Sequence, residues 1–221
     1  MAIVHHPDPR TIVALIDAVP AGGTIATDCD GTVWTGDIGD DVVLAAAQDP
    51  DRFGCGPVDF EAYVARLKTD YEGACLFACE VLRHISPDDA ADALRAVVPT
   101  TFAARRYFVE ALQQAMARGV AVWFVSASPL LAVEVGAGII RVTPTGMIGI
   151  ELASEGIRAP WPIGEGKPAA WRARGMPSLD LAFGDSEWDV PLIESAATGV
   201  MLVRAEHDAD VARSAADVRG R

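Results

Sequence analysis

The chain has 221 residues, 51% hydrophobic and 22% charged, with 18 Lys and Arg against 31 Asp and Glu for a formal charge of −13. This apolar content excludes intrinsic disorder, and a chain of this length buries roughly 70% of its unfolded surface without disulfide staples, as one full domain plus an insertion or as two small domains. The negative balance excludes a non-specific nucleic-acid binder, which needs Lys and Arg to displace counterions, and also docking on an anionic membrane.

The first ten residues, MAIVHHPDPR, carry His5, His6 and Asp8 where a secretory leader would carry Lys or Arg. A helix is predicted next. Asp8 caps it, Pro9 suits its first turn, and Ile12, Leu15, Ile16 and Val19 fall at i, i+3, i+4 and i+7. Pro20 and Gly22-Gly23 stop it. Thr24 to Asp28 then reads as a short strand that ends in a carboxylate. No run in the chain reaches the ~18 apolar residues of a membrane-crossing helix, so a cytoplasmic location is expected.

Residues 37–102 break the strand rhythm. Asp59 to Tyr71 places Phe60, Tyr63, Val64, Leu67 and Tyr71 at helical spacing, and a second helix covers Ala74 to His84. Ser86-Pro87-Asp88-Asp89 has the form of a capping box before a third helix through Val97. The expectation is an all-helical insertion over 37–102 after the first core strand, with 1–36 and 103–221 forming the core. Cys75 and Cys79 lie one helical turn apart, but no second Cys or His pair completes a zinc site. With Cys29 and Cys55 they read as reduced, small hydrophobes.

A helix over Tyr107 to Arg118 stops at Gly119, and Gly119 to Ala127 is an apolar strand reaching Ser126. Ser128-Pro129 opens another helix. From Ile139 to Leu152, β-branched runs around Pro144-Thr145-Gly146 predict a hairpin. Lys167-Pro168 opens a further helix, Leu179 to Gly184 is a strand running into Asp185, and Gly199 to Val203 is the last strand. The runs lack strict alternation, as parallel strands covered on both faces do. Their alternation with helices predicts a doubly wound α/β fold built on a parallel sheet.

Three predicted strands finish in oxygen-bearing side chains: Asp28, Ser126 and Asp185. Open α/β sheets bind ligands outside the carboxyl ends of their strands, so these residues should converge on one rim. At the first position, Asp28-Cys29-Asp30-Gly31 sets two carboxylates two residues apart on a strand entering a Gly turn. One can attack while the other handles a proton, and both can help hold a hard cation such as Mg²⁺. Taken alone, the same pattern also fits an Asx-rich turn.

The rest of the chain supplies context. Asp28-Cys29-Asp30-Gly31-Thr32-Val33, Val122-Trp123-Phe124-Val125-Ser126, Lys167 and Gly184-Asp185-Ser186-Glu187-Trp188-Asp189 follow in order. This set resembles the four motifs of the haloacid dehalogenase-like (HAD) superfamily, over a core from about Thr24 to Val203. The Ser126-Ala127-Ser128-Pro129 form and the place of the helical insertion resemble the branch that includes phosphoserine phosphatases. The resemblance implies a Rossmann-like core with a helical cap and Mg²⁺-dependent hydrolysis of a small phosphorylated metabolite through an aspartyl-phosphate. Asp28 would be the nucleophile and Asp30 the general acid and base. Mg²⁺ would be held by Asp28, the Asp30 backbone carbonyl, Asp185 and Asp189. Ser126, Ala127, Lys167 and Gly31 would hold the phosphate. In this family dehalogenases lack the second carboxylate, so Asp30 favours phosphatase chemistry.

Other features of the chain bear on these roles. A carboxylate attacking a phosphate dianion needs local positive charge, which Mg²⁺, Lys167 and the N–H groups of the Asp28 to Gly31 turn can supply. Gly164-Glu165-Gly166 before Lys167 is not a Walker loop, because Pro168 replaces its Ser or Thr. Asp189 also fits as the second half of a capping box begun by Ser186. Asp37 stands where phosphoserine phosphatases place a Glu that binds the substrate amino group; it also fits a polar turn between Gly36 and Gly39. The absence of two glycines after Ser126 departs from the phosphoserine pattern. Trp34, Tyr63, Lys68, Tyr71 and Arg83 are candidates for lining the cleft. His84 and His207 read as structural or surface residues. A phosphotransferase of the same fold and a non-catalytic phosphate- and Mg²⁺-binding protein are the alternatives.

Overall fold

The structure, a computed structural model, describes residues 2–5 and 7–202; the end of the strand expected at Val203, and His207, lie outside them. Seven strands are present there: β1 (Ala2–His5), β2 (Thr24–Thr27), β3 (Ala121–Pro129), β4 (Gly146–Ala153), β5 (Gly156–Arg158), β6 (Leu179–Gly184) and β7 (Ala196–Met201). They form one sheet in the order β1-β7-β6-β2-β3-β4-β5, parallel throughout except where β5 meets β4. The motif-bearing β2 sits centrally, between β6 and β3.

The absence of alternation in the strands has a direct structural cause. Ile25, Val122, Phe124, Leu181 and Phe183 pack with the helices α1 (Pro9–Asp17), α7 (Arg106–Ala117) and α8 (Leu130–Ile139). Their neighbours Ala26, Val125 and Ala182 face the other way, toward α9 (Gly166–Ala173) and α10 (Val190–Glu194). Successive strand residues point to opposite faces, and here both faces are covered. The α/β expectation is met.

Between β2 and β3 lie only helices, and ahead of α7 these are α2 (Ile38–Gln48), α3 (Pro50–Phe53), α4 (Phe60–Leu67), α5 (Tyr71–Glu80) and α6 (Pro87–Thr101). The first two were not expected. Asp37 starts α2, its Oδ1 accepting from the Gly39 and Asp40 amides at 2.9 and 3.2 Å. The two flanking glycines masked this cap as a turn. The helix expected over Asp59 to Tyr71 ends at Leu67, because Asp70 accepts from the Gly73 amide and caps a new helix at Tyr71. The next helix therefore begins at Tyr71 and ends at Glu80, shifted toward the N-terminus. Ser86 caps α6 as expected, accepting from the Asp89 amide at 3.2 Å.

Three further differences concern strands. Ala2–His5 pairs in parallel with β7 as an edge strand ahead of the first helix; four residues carry too short a pattern to read. The strand through Ser126 continues to Pro129, so α8 opens at Leu130 rather than at Ser128-Pro129. The hairpin is not centred on Pro144-Thr145-Gly146. Helix α8 runs to Ile139, β4 starts at Gly146, and the chain reverses at Ser154-Glu155, where Ala153 pairs with Gly156. Among the described residues, no helix is long and apolar enough to cross a membrane.

Candidate active site

The carboxyl ends of β2, β3 and β6 bring together side chains far apart in sequence. Asp28 leaves β2 with its amide donating to the Phe183 carbonyl of β6 at 2.9 Å. The turn behind it depends on Gly31, whose φ of 74° is left-handed backbone that a Cβ disfavours. The fully buried Arg105 donates from Nη2 to the Gly31 carbonyl at 2.8 Å and so fixes the turn from below.

Lys167, near the start of α9, extends into the same place. Its Nζ donates to Asp28 Oδ1 at 2.7 Å and to Asp189 Oδ1 at 2.5 Å, with all three residues buried. Thr32 donates its hydroxyl to Asp28 Oδ2 at 2.9 Å. The other oxygen of Asp189, Oδ2, accepts from the amides of Asp185 and Ser186 and from the Ser186 hydroxyl at 2.8 Å. The capping box read from the sequence thus serves a second purpose, aiming Asp189 at Lys167.

Burial and the Asp189 and Asp185 charges push the Asp28 carboxyl well above the usual range, against the pull of Lys167. Burial works to lower the Lys167 ammonium, yet Asp189 and Asp28 hold it above its ordinary value. The ammonium is therefore the permanent charge here.

Asp30 occupies a different shell of donors. Its Oδ1 accepts from Trp34 Nε1 at 2.7 Å and the Ile38 amide at 2.8 Å. Its Oδ2 accepts from the Ser128 hydroxyl at 2.7 Å and the Ser126 hydroxyl at 3.2 Å. Burial, with the nearby Asp37 charge, outweighs these donors and raises its pKa to about 6. A carboxyl so poised can give up and regain a proton near neutral pH.

These groups open onto one cleft of about 20 Å³, roomy for little more than one water. Asp28, Asp30, Lys167 and Asp185 form its floor, and Tyr63, Tyr71 and Cys75 of the inserted helices its roof. Tyr71 stacks on Trp188 of the core, ring centres 4.7 Å apart and planes 13° from parallel. Asp28, Asp185 and Asp189 each place a carboxylate oxygen within 4.8 Å of the others. An all-oxygen, anionic donor set suits a hard divalent cation.

Residues 25–194 match the family model of the haloacid dehalogenase-like hydrolases. The chain belongs to that family. No curated protein matches this HAD hydrolase. Its fold is similar to that of a Bordetella pertussis Tohama I protein with unknown function, at 20% identity over 90% of this chain and 96% of the other, TM-score 0.64. It is also similar to a phosphoserine phosphohydrolase-like protein from Francisella tularensis subsp. tularensis SCHU S4 (13%, 85% and 92%, TM-score 0.56). A substrate-bound phosphoserine phosphatase shares it too (14%, 79% and 82%, TM-score 0.53). At these identities the likeness is one of fold.

Among the residues picked from the sequence of this HAD hydrolase, Asp28, Asp30, Asp37, Ala127, Lys167, Asp185 and Asp189 all border the cleft. Ser126 and Gly31 do not. Ser126 is fully buried beneath the wall, its hydroxyl spent between Asp30 and the Ser128 amide. The Asp30 side chain stands outside the carboxylate cluster, turned toward Trp34 and Ser128. Of the five candidates from Trp34 to Arg83, Tyr63 and Tyr71 line the cleft. Trp34 is buried under Asp30, Lys68 is exposed, and Arg83 pairs with Glu80 on the outside.

The sequence did not assign Ser128, Trp188 or Cys75 to the cleft that they line. Ser128 was within reach: it lies two residues after Ser126 on an extended strand and so shares its face. Trp188 and Cys75 carried no such signal, because each meets the cleft only through contact between core and inserted helices.

Proposed function

We propose that this HAD hydrolase is a phosphatase of small phosphomonoesters, working through an aspartyl-phosphate on Asp28. The observation that carries the reading is the meeting of Asp28, Asp30, Lys167 and Asp185 at one cleft on the carboxyl rim of the parallel sheet. The phosphoserine phosphatase among its structural neighbours supports it by shared fold.

An Asp28 oxygen attacks phosphorus, and the bond to the substrate's alcohol oxygen breaks. Asp30, whose pKa of about 6 keeps a proton available, passes it to that departing oxygen. The resulting Asp30 carboxylate then takes a proton from water, which attacks the phosphorus and releases Asp28 and inorganic phosphate. Lys167 offsets the charge on the phosphoryl oxygens, since phosphoryl transfer depends mainly on positioning and charge stabilisation. The Ala127 backbone, at the edge of the cleft, would complete the phosphate cradle, whereas Ser126 and Gly31 support it from beneath.

Mg²⁺ fits the donor set of Asp28, Asp185 and Asp189, with the Asp30 carbonyl, and supplies positive charge that lowers the repulsion between carboxylate and phosphate. Residues 37–102 act as a cap over the core formed by 1–36 and 103–221. Movement of this cap would admit a substrate to the narrow cleft and exclude water during reaction. Hydrolysis of p-nitrophenyl phosphate by the purified chain tests the reading. Turnover that needs Mg²⁺ and disappears in Asp28→Asn supports it; turnover unaffected by either change overturns it.

A further inference from the structure

Asp30 presents its two oxygens to different kinds of partner. Oδ1 accepts from Trp34 Nε1 at 2.7 Å and from the Ile38 amide at 2.8 Å. Both partners are N–H groups that can only donate, and together they occupy both lone pairs of that oxygen. A proton on Asp30 therefore has to sit on Oδ2, whose partners are hydroxyls that can either donate or accept. Ser126 is the poorer acceptor of the two, since it lies at 3.2 Å and its Oγ already accepts from the Ser128 amide at 3.0 Å. Ser128 lies at 2.7 Å. With Asp30 ionised, the Ser128 hydroxyl donates to Oδ2. With Asp30 protonated, that bond reverses and frees the Ser128 hydrogen. Of the four groups bonded to Asp30, Ser128 alone borders the cleft, where the ester oxygen of a substrate must come to lie.

We propose that Ser128 is a catalytic residue that relays the proton from Asp30 to the leaving oxygen. The inference rests on the phosphatase reading above and adds the path of its proton. As the bond from phosphorus to the alcohol oxygen breaks, that oxygen takes the Ser128 hydroxyl proton. Ser128 Oγ takes the Oδ2 proton in exchange, which leaves Ser128 neutral and Asp30 a carboxylate. When water attacks the phosphorylated Asp28, the same two transfers run in reverse. Ser128 is 5% exposed and its amide is tied to Ser126, so its hydroxyl has little freedom to leave this path.

Benzyl phosphate and p-nitrophenyl phosphate separate the relay from mere packing. They are similar in size, but the benzyl alcohol oxygen is a strong base that needs a proton to leave, whereas p-nitrophenolate departs without one. With the full chain and Mg²⁺, kcat/KM is measured for both, because it covers only the steps through departure of the alcohol. Ser128→Ala is expected to lower the value for benzyl phosphate about 10²-fold more than that for p-nitrophenyl phosphate. On an Asp30→Asn background, which already lacks the proton, Ser128→Ala should add no comparable loss, since the two residues act in series. Equal losses on the two esters in Ser128→Ala, or the full loss repeated on the Asp30→Asn background, overturn the relay. A parent that hydrolyses p-nitrophenyl phosphate but not benzyl phosphate delivers no proton to an alkoxide and overturns it as well. If both esters are inert in the parent, the phosphatase reading falls, and the relay with it.

Discussion

Lys167 Nζ lies 2.7 Å from Asp28 Oδ1 although 139 residues separate the two in the chain, and neither is appreciably exposed. Removing the ammonium leaves Asp28 and Asp189 as buried carboxylates without their cation. Breaking a buried pair from one side costs about 3–5 kcal/mol. Lys167→Met, which keeps the length of the side chain, should lower stability by that amount in urea unfolding and abolish turnover. Part of the loss should return in acid, where the carboxylates take up protons. A variant as stable as the parent at pH 7 would contradict the buried triad.

Asp30 titrates near 6 in the fold, against 3.8 for an ordinary carboxyl. Above pH 6 the fold must keep ionised a group that it prefers protonated. This penalty is fully present above pH 6, fades as pH falls toward 3.8 and is absent below it. The gap corresponds to about 3 kcal/mol at most. Asn at this position still accepts from Trp34 and Ile38 and can donate to Ser128. Asp30→Asn should therefore be more stable than the parent at pH 8, lose that advantage by pH 4, and be slower by about 10²–10⁴-fold. Unfolding midpoints at the two pH values decide it: an advantage independent of pH rules out the raised pKa.

Among the described residues, Asp28, Asp185 and Asp189 form the only group of three side chains placed so that they could hold a metal ion. An ion held there stabilises the fold by mass action, about 2.7 kcal/mol at a hundred times its Kd. Thermal melting should shift upward as Mg²⁺ is added to the parent protein. In Asp185→Asn, at a half-buried position where the amide is tolerated, most of that shift should vanish. Equal shifts in both proteins would place the ion elsewhere.

Gly184 precedes Asp185, and a Cβ there would lie 2.2 Å from the Asp189 Cβ. Gly184→Ala must displace Asp189, the residue that holds the other side of Lys167. A loss of about 1–3 kcal/mol is expected, with activity falling more steeply than stability. Gly138→Ala is the control: that exposed position in α8 has open space around it, and Ala should stabilise the helix by up to about 1 kcal/mol. Chemical denaturation of both variants, with assays beside it, tests the contrast. A neutral Gly184→Ala would mean that Asp189 can shift without consequence.

The residues that meet at the cleft were legible because each stands at a strand end or in a short motif. Asp28 and Asp30 are announced by the strand that precedes them and the Gly that follows. Asp185 and Asp189 lie within six residues of one another in a loop whose capping logic is local. Element boundaries were less legible where two local rules compete. At Tyr71, helical periodicity from Asp59 carried on through a position that the Asp70 cap assigns to the next helix. At Asp37 a cap stood between glycines and resembled a turn.

The order of chemical groups along the chain, the α/β alternation and the anionic character of the molecule follow from local sequence, since hydrophobic periodicity and caps act over a few residues. Tertiary structure decided the rest. It placed Ser126 under the wall and Ser128 on it, left Arg66, Lys68 and Arg83 outside, and set Tyr71 against Trp188 across the mouth. Those outcomes depend on how helices from one stretch of the chain pack on the sheet made by another, and no short-range pattern encodes that packing.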